Sequence, residues 1–238
     1  MFVNAAELLR HSGYDGWVAH DIARCEESFR TVWYPAVSGY ILYANGIWDL
    51  TDIHITLAIG VFWEEHTLFE DALRFAAAGA GNGSVLHRIV TDAGQGQESG
   101  RDQGHEQLAV GLMGDIAQVA WNQGDDLSSH DDRRFMKAAQ YVAKYDTGQD
   151  VTYTTYTWGT GQNCAQQSQP VIGSGSRGQV RPVWAMLHFH YNRRLYLDDE
   201  YNSGMYRDLV APEGGGGDYG STSGGYDQLG FGTLRYAK

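Results

Sequence analysis

Apolar residues recur along most of this chain at intervals of three and four, the period of helices that bury one face. Val18, Ile22 and Ala23 place a helix from about Trp17 to Phe29. Tyr34-Pro35-Ala36 predicts its end, because proline lacks an N–H and restricts the residue before it. Ile53, Ile55, Leu57 and Val61 predict a second helix over about Asp49–Phe62. A run of helix formers predicts a third over about Glu65–Ala77, closed by the loop Gly79 to Gly83. Leu108, Leu112, Ile116 and Val119 place a longer helix from about Gly104 to Trp121. Gly124-Asp125-Asp126 reads as a turn and Ser129-His130-Asp131 as an N-cap region. The helix that follows, Arg133 to Tyr145, ends at Thr147-Gly148. The short link predicts an antiparallel hairpin of these two helices.

Alternating Tyr and Thr from Val151 to Trp158 allow one short strand. It opens a Thr-, Ser-, Gln- and Gly-rich connection that runs to Arg177, a length more typical of functional loops than of filler. A last helix is expected over about Val180–Arg194. The whole predicts an all-α fold in one domain, residues 1–238, with a glycine-dense C-terminal strap at 212–238. Tyr219, Tyr226, Leu229 and Phe231 suit that strap to packing on the helices.

Charge changes the picture of partners. Seventeen Lys and Arg against 29 Asp and Glu give a formal net charge of −12, which argues against nucleic acid. An anionic substrate then needs a local basic pocket. The 7 Trp and 15 Tyr are numerous enough to serve as stacking platforms for sugar rings. No apolar run reaches the ~18 residues of a membrane span, so no membrane partner is expected. The start, Met1 to Glu7, lacks the basic head and apolar core of a signal peptide. Cys25 and Cys164 leave both one disulfide and two free thiols open.

The strongest chemical signal is Gln97-Glu98-Ser99-Gly100-Arg101-Asp102-Gln103-Gly104-His105. If the helix begins early enough to include Glu98, then Glu98, Arg101 and His105 fall at i, i+3 and i+7 on one face. Acid, guanidinium and imidazole on one stripe suit a site for a charged, proton-exchanging substrate. They also suit an ion-paired surface turn, with Glu98 and Asp102 near the positive end of a helix dipole. A second group is Arg181, Trp184, His188 and Tyr191, where Arg181 and His188 stand two helical turns apart and Tyr191 one turn further on. Each alone is equally compatible with a structural role. The third is Tyr43-Ala44-Asn45-Gly46-Ile47-Trp48-Asp49, in which Asn45-Gly46 can be a turn and Asp49 an N-cap. The loop Ala80-Gly81-Asn82-Gly83-Ser84, with His87, can close over a ligand or simply turn the chain.

Several segments in order resemble the alginate lyase superfamily, most closely polysaccharide lyase family thirty-eight. They are Tyr-Ala-Asn-Gly-x-Trp-Asp at 43–49, Gly-Ala-Gly-Asn-Gly-Ser at 79–84, Glu-Ser-Gly-Arg-Asp-Gln-Gly-His at 98–105, Ala-Trp-Asn-Gln-Gly-x-Asp-Leu at 120–127 and Gly-Gly-Gly-Gly-Asp-Tyr-Gly at 214–220. The resemblance implies an (α/α) toroid of helical hairpins, incomplete at the N-terminus and so open on an apolar flank. It implies β-elimination on a uronic-acid polymer of the alginate or glucuronan type, with no metal or organic cofactor, in a secreted or periplasmic protein. His105 fits the charge-neutralising or proton-abstracting position, with Glu98 orienting it and Arg101 nearby. Arg181 resembles the arginine that holds the substrate carboxylate. Tyr191 or Tyr156, with His188 close by, fits the acid, while Asn45, Trp48 and Asn82 fit substrate-binding positions. Ile47 stands where the family pattern carries a second Asn. Two other readings are a catalytically impaired carbohydrate-binding relative and a glycoside hydrolase on the same kind of toroid. The hydrolase needs two carboxylates about 5–10 Å apart across a cleft, for which Glu98 and Asp49 are the pair to test.

Overall fold

The computed structural model describes residues 2–42, 44–158, 167–179, 181–210, 228 and 232–237. It opens with α1 (Phe2–His11), a helix beyond those the apolar period predicts. α2 (Ala19–Ser28) does not end at Tyr34-Pro35-Ala36. It widens into a π-helical turn, Phe29–Trp33, and continues as α3 (Tyr34–Val37). The Tyr34 N–H donates back to the Phe29 carbonyl, five residues away. The wider turn accommodates Pro35, which has no N–H for an ordinary α-helical bond.

α4 (Gly46–Phe62) begins earlier than its first apolar-periodic residues suggest and is buried on most sides. It separates two cores. Leu50, Ile53 and Leu57 enter the larger one. Ala58, Ile59 and Phe62 pack with Val3, Ala6 and Phe29 in the smaller one. α5 (His66–Ala78) folds back along α4 so closely that a Cβ on Gly60 would lie 2.9 Å from the Phe69 nitrogen. Only glycine permits that approach.

The short α6 (Val85–Arg88) leads through a turn to α7 (Gln103–Gln123), which gives Ala109, Val110, Met113, Ile116 and Ala117 to the larger core. Gly124, at φ 100°, ends α7 in the left-handed region that glycine tolerates. α8 (His130–Asp146) packs on α7, as the short link leads one to expect. Its first turn is unusual: Asp131, Asp132 and Arg133 are all left-handed, at φ 48°, 51° and 56°. The strand signal resolves into β1 (Tyr156–Trp158), antiparallel to β2 (Gln167–Gln169) with Tyr156 opposite Gln169.

Further on, α9 (Trp184–Leu187) runs into a π-helical stretch, His188–Arg194. α10 (Glu200–Gly204) and a second π-helical stretch, Met205–Val210, follow. Trp184, Leu187, Tyr191 and Met205 seal the larger core. Of the predicted strap, Gln228 and α11 (Gly232–Tyr236) with Ala237 belong to the described residues, whereas Tyr219, Tyr226, Leu229 and Phe231 lie outside them, as do Tyr43 and Cys164. Cys25 is a free, half-buried cysteine beside the smaller core. Phe2, Leu8, Val32 and Trp33 stand exposed on the N-terminal flank, with the Phe2 and Trp33 rings 6.5 Å apart. The described residues are mostly helical, and no helix among them is long and apolar enough to cross a membrane.

Candidate active site

Glu98, Arg101 and His105 do not share a helical face. α7 starts only at Gln103, and Gly96 to Arg101 form a tight turn before it. Asp102 sets that boundary. Its backbone is extended, and its Oδ1 accepts the His105 N–H at 2.8 Å, the capping bond that starts the helix. Its Oδ2 takes the His105 Nδ1 at 2.6 Å. A carboxylate only accepts, so Nδ1 carries a proton, and in the neutral imidazole Nε2 keeps its lone pair. Asp102, not Glu98, therefore orients His105. The ring is 39% exposed, open to a substrate.

Glu98 is buried and turned elsewhere. Its Oε2 lies 3.5 Å from Arg101 Nη1, and its backbone N–H donates to Glu106 Oε2 at 2.9 Å. Glu106 in turn receives Arg88 Nη2 at 2.6 Å, both side chains being sealed from solvent. Burial pushes the Glu106 carboxyl up, and the Arg88 charge opposes it. The turn passes directly over this pair: a Cβ on Gly96 would lie 2.1 Å from Glu106 Oε1 and 2.2 Å from Arg88 Nη1. Arg101 is half exposed, between Glu98 and Asp102, where its guanidinium can meet a ligand's carboxylate.

Four buried glutamines tie loops to this turn, a role hidden from hydrophobic periodicity because glutamine is neither apolar nor charged. Gln95 pairs with Thr154 through both amide atoms, at 2.7 Å each. Gln97 accepts from the Gly46 N–H at 2.7 Å and donates to the His87 carbonyl at 2.9 Å. Gln103 donates to the carbonyls of Ser99 and Gly173. Gln107 donates to Asp146 Oδ2 at 2.7 Å and to the Gln179 carbonyl at 2.5 Å, and accepts the Arg181 N–H at 3.2 Å. The only sequence sign of this scaffold is the crowding of Gln95, Gln97, Gln103 and Gln107 into thirteen positions.

These ties bring some predicted residues together. Tyr156 on β1 stacks on Trp158 at 5.5 Å. Its phenol is pushed up to about 12, first by burial, with Arg88 opposing and Glu98 reinforcing the shift. The same Arg88 and Glu98 charges that border the turn therefore act on Tyr156, and at neutral pH it is a proton donor rather than a base. Tyr153 lies beside the turn as well: its hydroxyl donates to the Gln169 carbonyl at 2.8 Å, and a Cβ on Gly100 would come within 2.2 Å of it. Arg181 is buried, and its backbone docks on α7 two residues past His105, through Gln107.

Other predicted residues are placed elsewhere. Tyr191 is fully buried in the larger core, edge-on to Phe135, with its hydroxyl 3.4 Å from the Ser128 carbonyl. Burial pushes its phenol far above the ordinary range, and no solvent-exposed surface of the ring is left for a polymer to reach. His188 is buried too, with Nδ1 2.7 Å from Ser203 Oγ and its ring stacked on Tyr206 at 4.7 Å. Helical period marks these positions as one face but does not say that the face points inward.

The 43–49 segment departs from its expected capping. Asn45 is the N-cap of α4 without a side-chain capping bond, whereas Asp49 sits inside the helix, fully buried, accepting the Gly83 N–H at 2.8 Å. Asn82 donates to the Ala44 carbonyl at 2.7 Å, clamping this loop to the next. Ile47 packs against the larger core, and Trp48 projects into solvent. No protein-family model, no curated protein and no solved structure matches the chain.

Proposed function

We propose that the chain is a polysaccharide lyase that cleaves a uronic-acid polymer, of the alginate or glucuronan type, by β-elimination on an (α/α) toroid of helical hairpins. The observation that carries this reading is the Asp102–His105 pair, which leaves a half-exposed imidazole with a free Nε2 next to the half-exposed Arg101. His105 Nε2 takes the proton at C5 of the uronate. Arg101 neutralises the sugar carboxylate and so stabilises the enolate that develops. Tyr156, held protonated, delivers its proton to the glycosidic oxygen leaving C4. The electron pair of the C5–H bond becomes the C4=C5 double bond as the C4–O bond breaks. None of these steps calls on a metal. The buried state of Glu98 and Asp49 favours elimination over hydrolysis, because neither carboxylate reaches an open cleft.

The test is the near-ultraviolet absorbance of unsaturated uronate, followed on alginate, glucuronan and related polymers. Wild-type protein is expected to generate it, and His105→Ala and Tyr156→Phe each to lower turnover at least about 100-fold. Absorbance from no polymer in the panel rejects the lyase reading. Retained polymer binding in that case leaves a carbohydrate-binding protein.

A further inference from the structure

A groove of about 590 Å³ runs along α8, walled by Val151 and Thr152 on one side and by Tyr201 on another. That volume is in the range of ordinary ligand sites. Lys137, Gln140, Tyr141 and Lys144 line it at i, i+3, i+4 and i+7, one face of the helix. Arg133 reaches it from the left-handed turn that starts α8.

Two independent observations mark this groove as more than a solvated helix face. The first is charge. On a chain of net charge −12, three cations against two carboxylates line this groove. The groove's own carboxylates are occupied: Asp92 pairs with Arg134 at 3.1 Å and Asp132 with Lys137 at 2.7 Å. Among the described residues, neither Arg133 nor Lys144 has a carboxylate within ion-pair distance. Lys144 Nζ instead lies 5.3 Å over the Tyr201 ring. The second is backbone strain. Asp131, Asp132 and Arg133 are three consecutive non-glycine residues in the left-handed region. Such conformations persist only where surroundings hold them, and they gather at ligand sites. Here Arg134 holds them, with Nε and Nη2 on the Ile89 carbonyl at 3.1 and 2.9 Å and Nη1 on Asp131 and Asp92. Gln140 fixes the opposite wall by accepting the N–H groups of Tyr201 and Asn202, both at 2.9 Å.

The wall residue Thr152 lies four positions before Tyr156, at most about 14 Å of chain. A polymer engaged at Tyr156 reaches the groove within a few sugar units. We propose that the α8 groove is a distal subsite for an acidic polysaccharide, in which Arg133 and Lys144 hold carboxylates of the polymer and Tyr201 presents a ring face to a sugar. The link to Tyr156 rests on the lyase reading; the groove's preference for a carboxylated glycan rests on its own charges and strain.

The deciding experiment measures binding, so that it stands apart from catalysis. Alginate octasaccharide is titrated calorimetrically into wild-type protein, into the double variant Arg133→Gln/Lys144→Gln, and into His105→Ala, with a neutral gluco-oligosaccharide of equal length as control. The double variant is expected to bind about 10-fold more weakly at low salt, the scale of two screened surface charges, with its melting temperature unchanged. The wild-type advantage is expected to shrink as salt is raised, and the neutral sugar to bind no better to wild type than to the variant. Equal octasaccharide affinity in wild type and double variant overturns the proposal, as does absence of octasaccharide binding or a neutral sugar that binds wild type as tightly as the octasaccharide does. Loss of binding in the double variant by a protein that makes no unsaturated product upholds the groove and rejects only the lyase reading.

Discussion

Asp102 uses both carboxylate oxygens on one residue, capping the His105 N–H at 2.8 Å and holding the His105 Nδ1 at 2.6 Å. The bond that begins α7 thus also fixes the tautomer of the exposed imidazole. Asp102→Asn separates the two roles. Asparagine can still cap with its oxygen, but its amide nitrogen then faces Nδ1 and favours the tautomer that protonates Nε2. Elimination is expected to fall at least about 100-fold with little change in thermal unfolding. Asp102→Ala adds the loss of the cap, about 1 kcal/mol. Equal rates for wild type and Asp102→Asn would remove His105 as the base.

The two tyrosines predict opposite outcomes. Tyr156→Phe removes the proposed acid and should cost at least about 100-fold in turnover. Tyr191→Phe removes only a long hydrogen bond to the Ser128 carbonyl, at 3.4 Å, inside the core. Its activity should stay within about twofold of wild type and its stability within about 1 kcal/mol. The comparison needs only initial rates and a thermal melt of each variant.

Gly96→Ala tests the turn over the buried ion pair. The new methyl would sit 2.1 Å from Glu106 Oε1 and 2.2 Å from Arg88 Nη1, and neither side chain has solvent to retreat into. Forcing the pair apart leaves uncompensated buried charge, a loss of about 3–5 kcal/mol. Denaturant unfolding measures it. A loss below about 1 kcal/mol would mean that the turn shifts freely.

Asp146 carries a pH signature. Burial is the main cause that pushes its carboxyl from 3.8 to about 7, against hydrogen bonds from Gly178 and Gln107 and the charge of Arg177. A folded-state value above the unfolded one contributes stability that is complete below the ordinary carboxylate range and is lost as pH rises through about 7. Asp146→Asn abolishes that dependence. It also carries a constant penalty, because one donor, the Gly178 N–H or the Gln107 amide, would face an NH2 group. Wild type should therefore lose stability relative to Asp146→Asn between about pH 4 and pH 7. Melting curves of both proteins across that range read the difference. A difference that stays flat, or a Asp146 carboxyl titrating near 4 by carbon NMR, would count against it.

Helices that bury one apolar face were legible in sequence: α5, α7 and α8 begin and end within a few residues of the period that predicts them. What escaped was set by single backbone bonds. Pro35 reads as a break because periodicity cannot anticipate that Tyr34 will donate five residues back. The residues around Glu98 were legible as a cluster of charged groups but not in their geometry, since the helix start depends on which acid caps it. Asp102, an acid standing just before the apolar-periodic run of α7, is a capping signal that the sequence does contain. Tyr191 and His188 show the opposite limit: spacing assigns a shared face, and only packing decides whether that face meets solvent or core.

Gln95, Gln97, Gln103 and Gln107 are each sealed from solvent, and each donates an amide hydrogen to an oxygen of another segment. Glutamate differs from glutamine by one atom and sits beside it in any table of tolerated exchanges. At these four positions it is a hostile substitution: a carboxylate would confront carbonyl oxygens and, at Gln107, the Asp146 carboxylate. Slow hydrolysis of the same amides as the protein ages makes the same change without any mutation. A fold that keeps water from these four side chains therefore also guards the loops around His105 against that change.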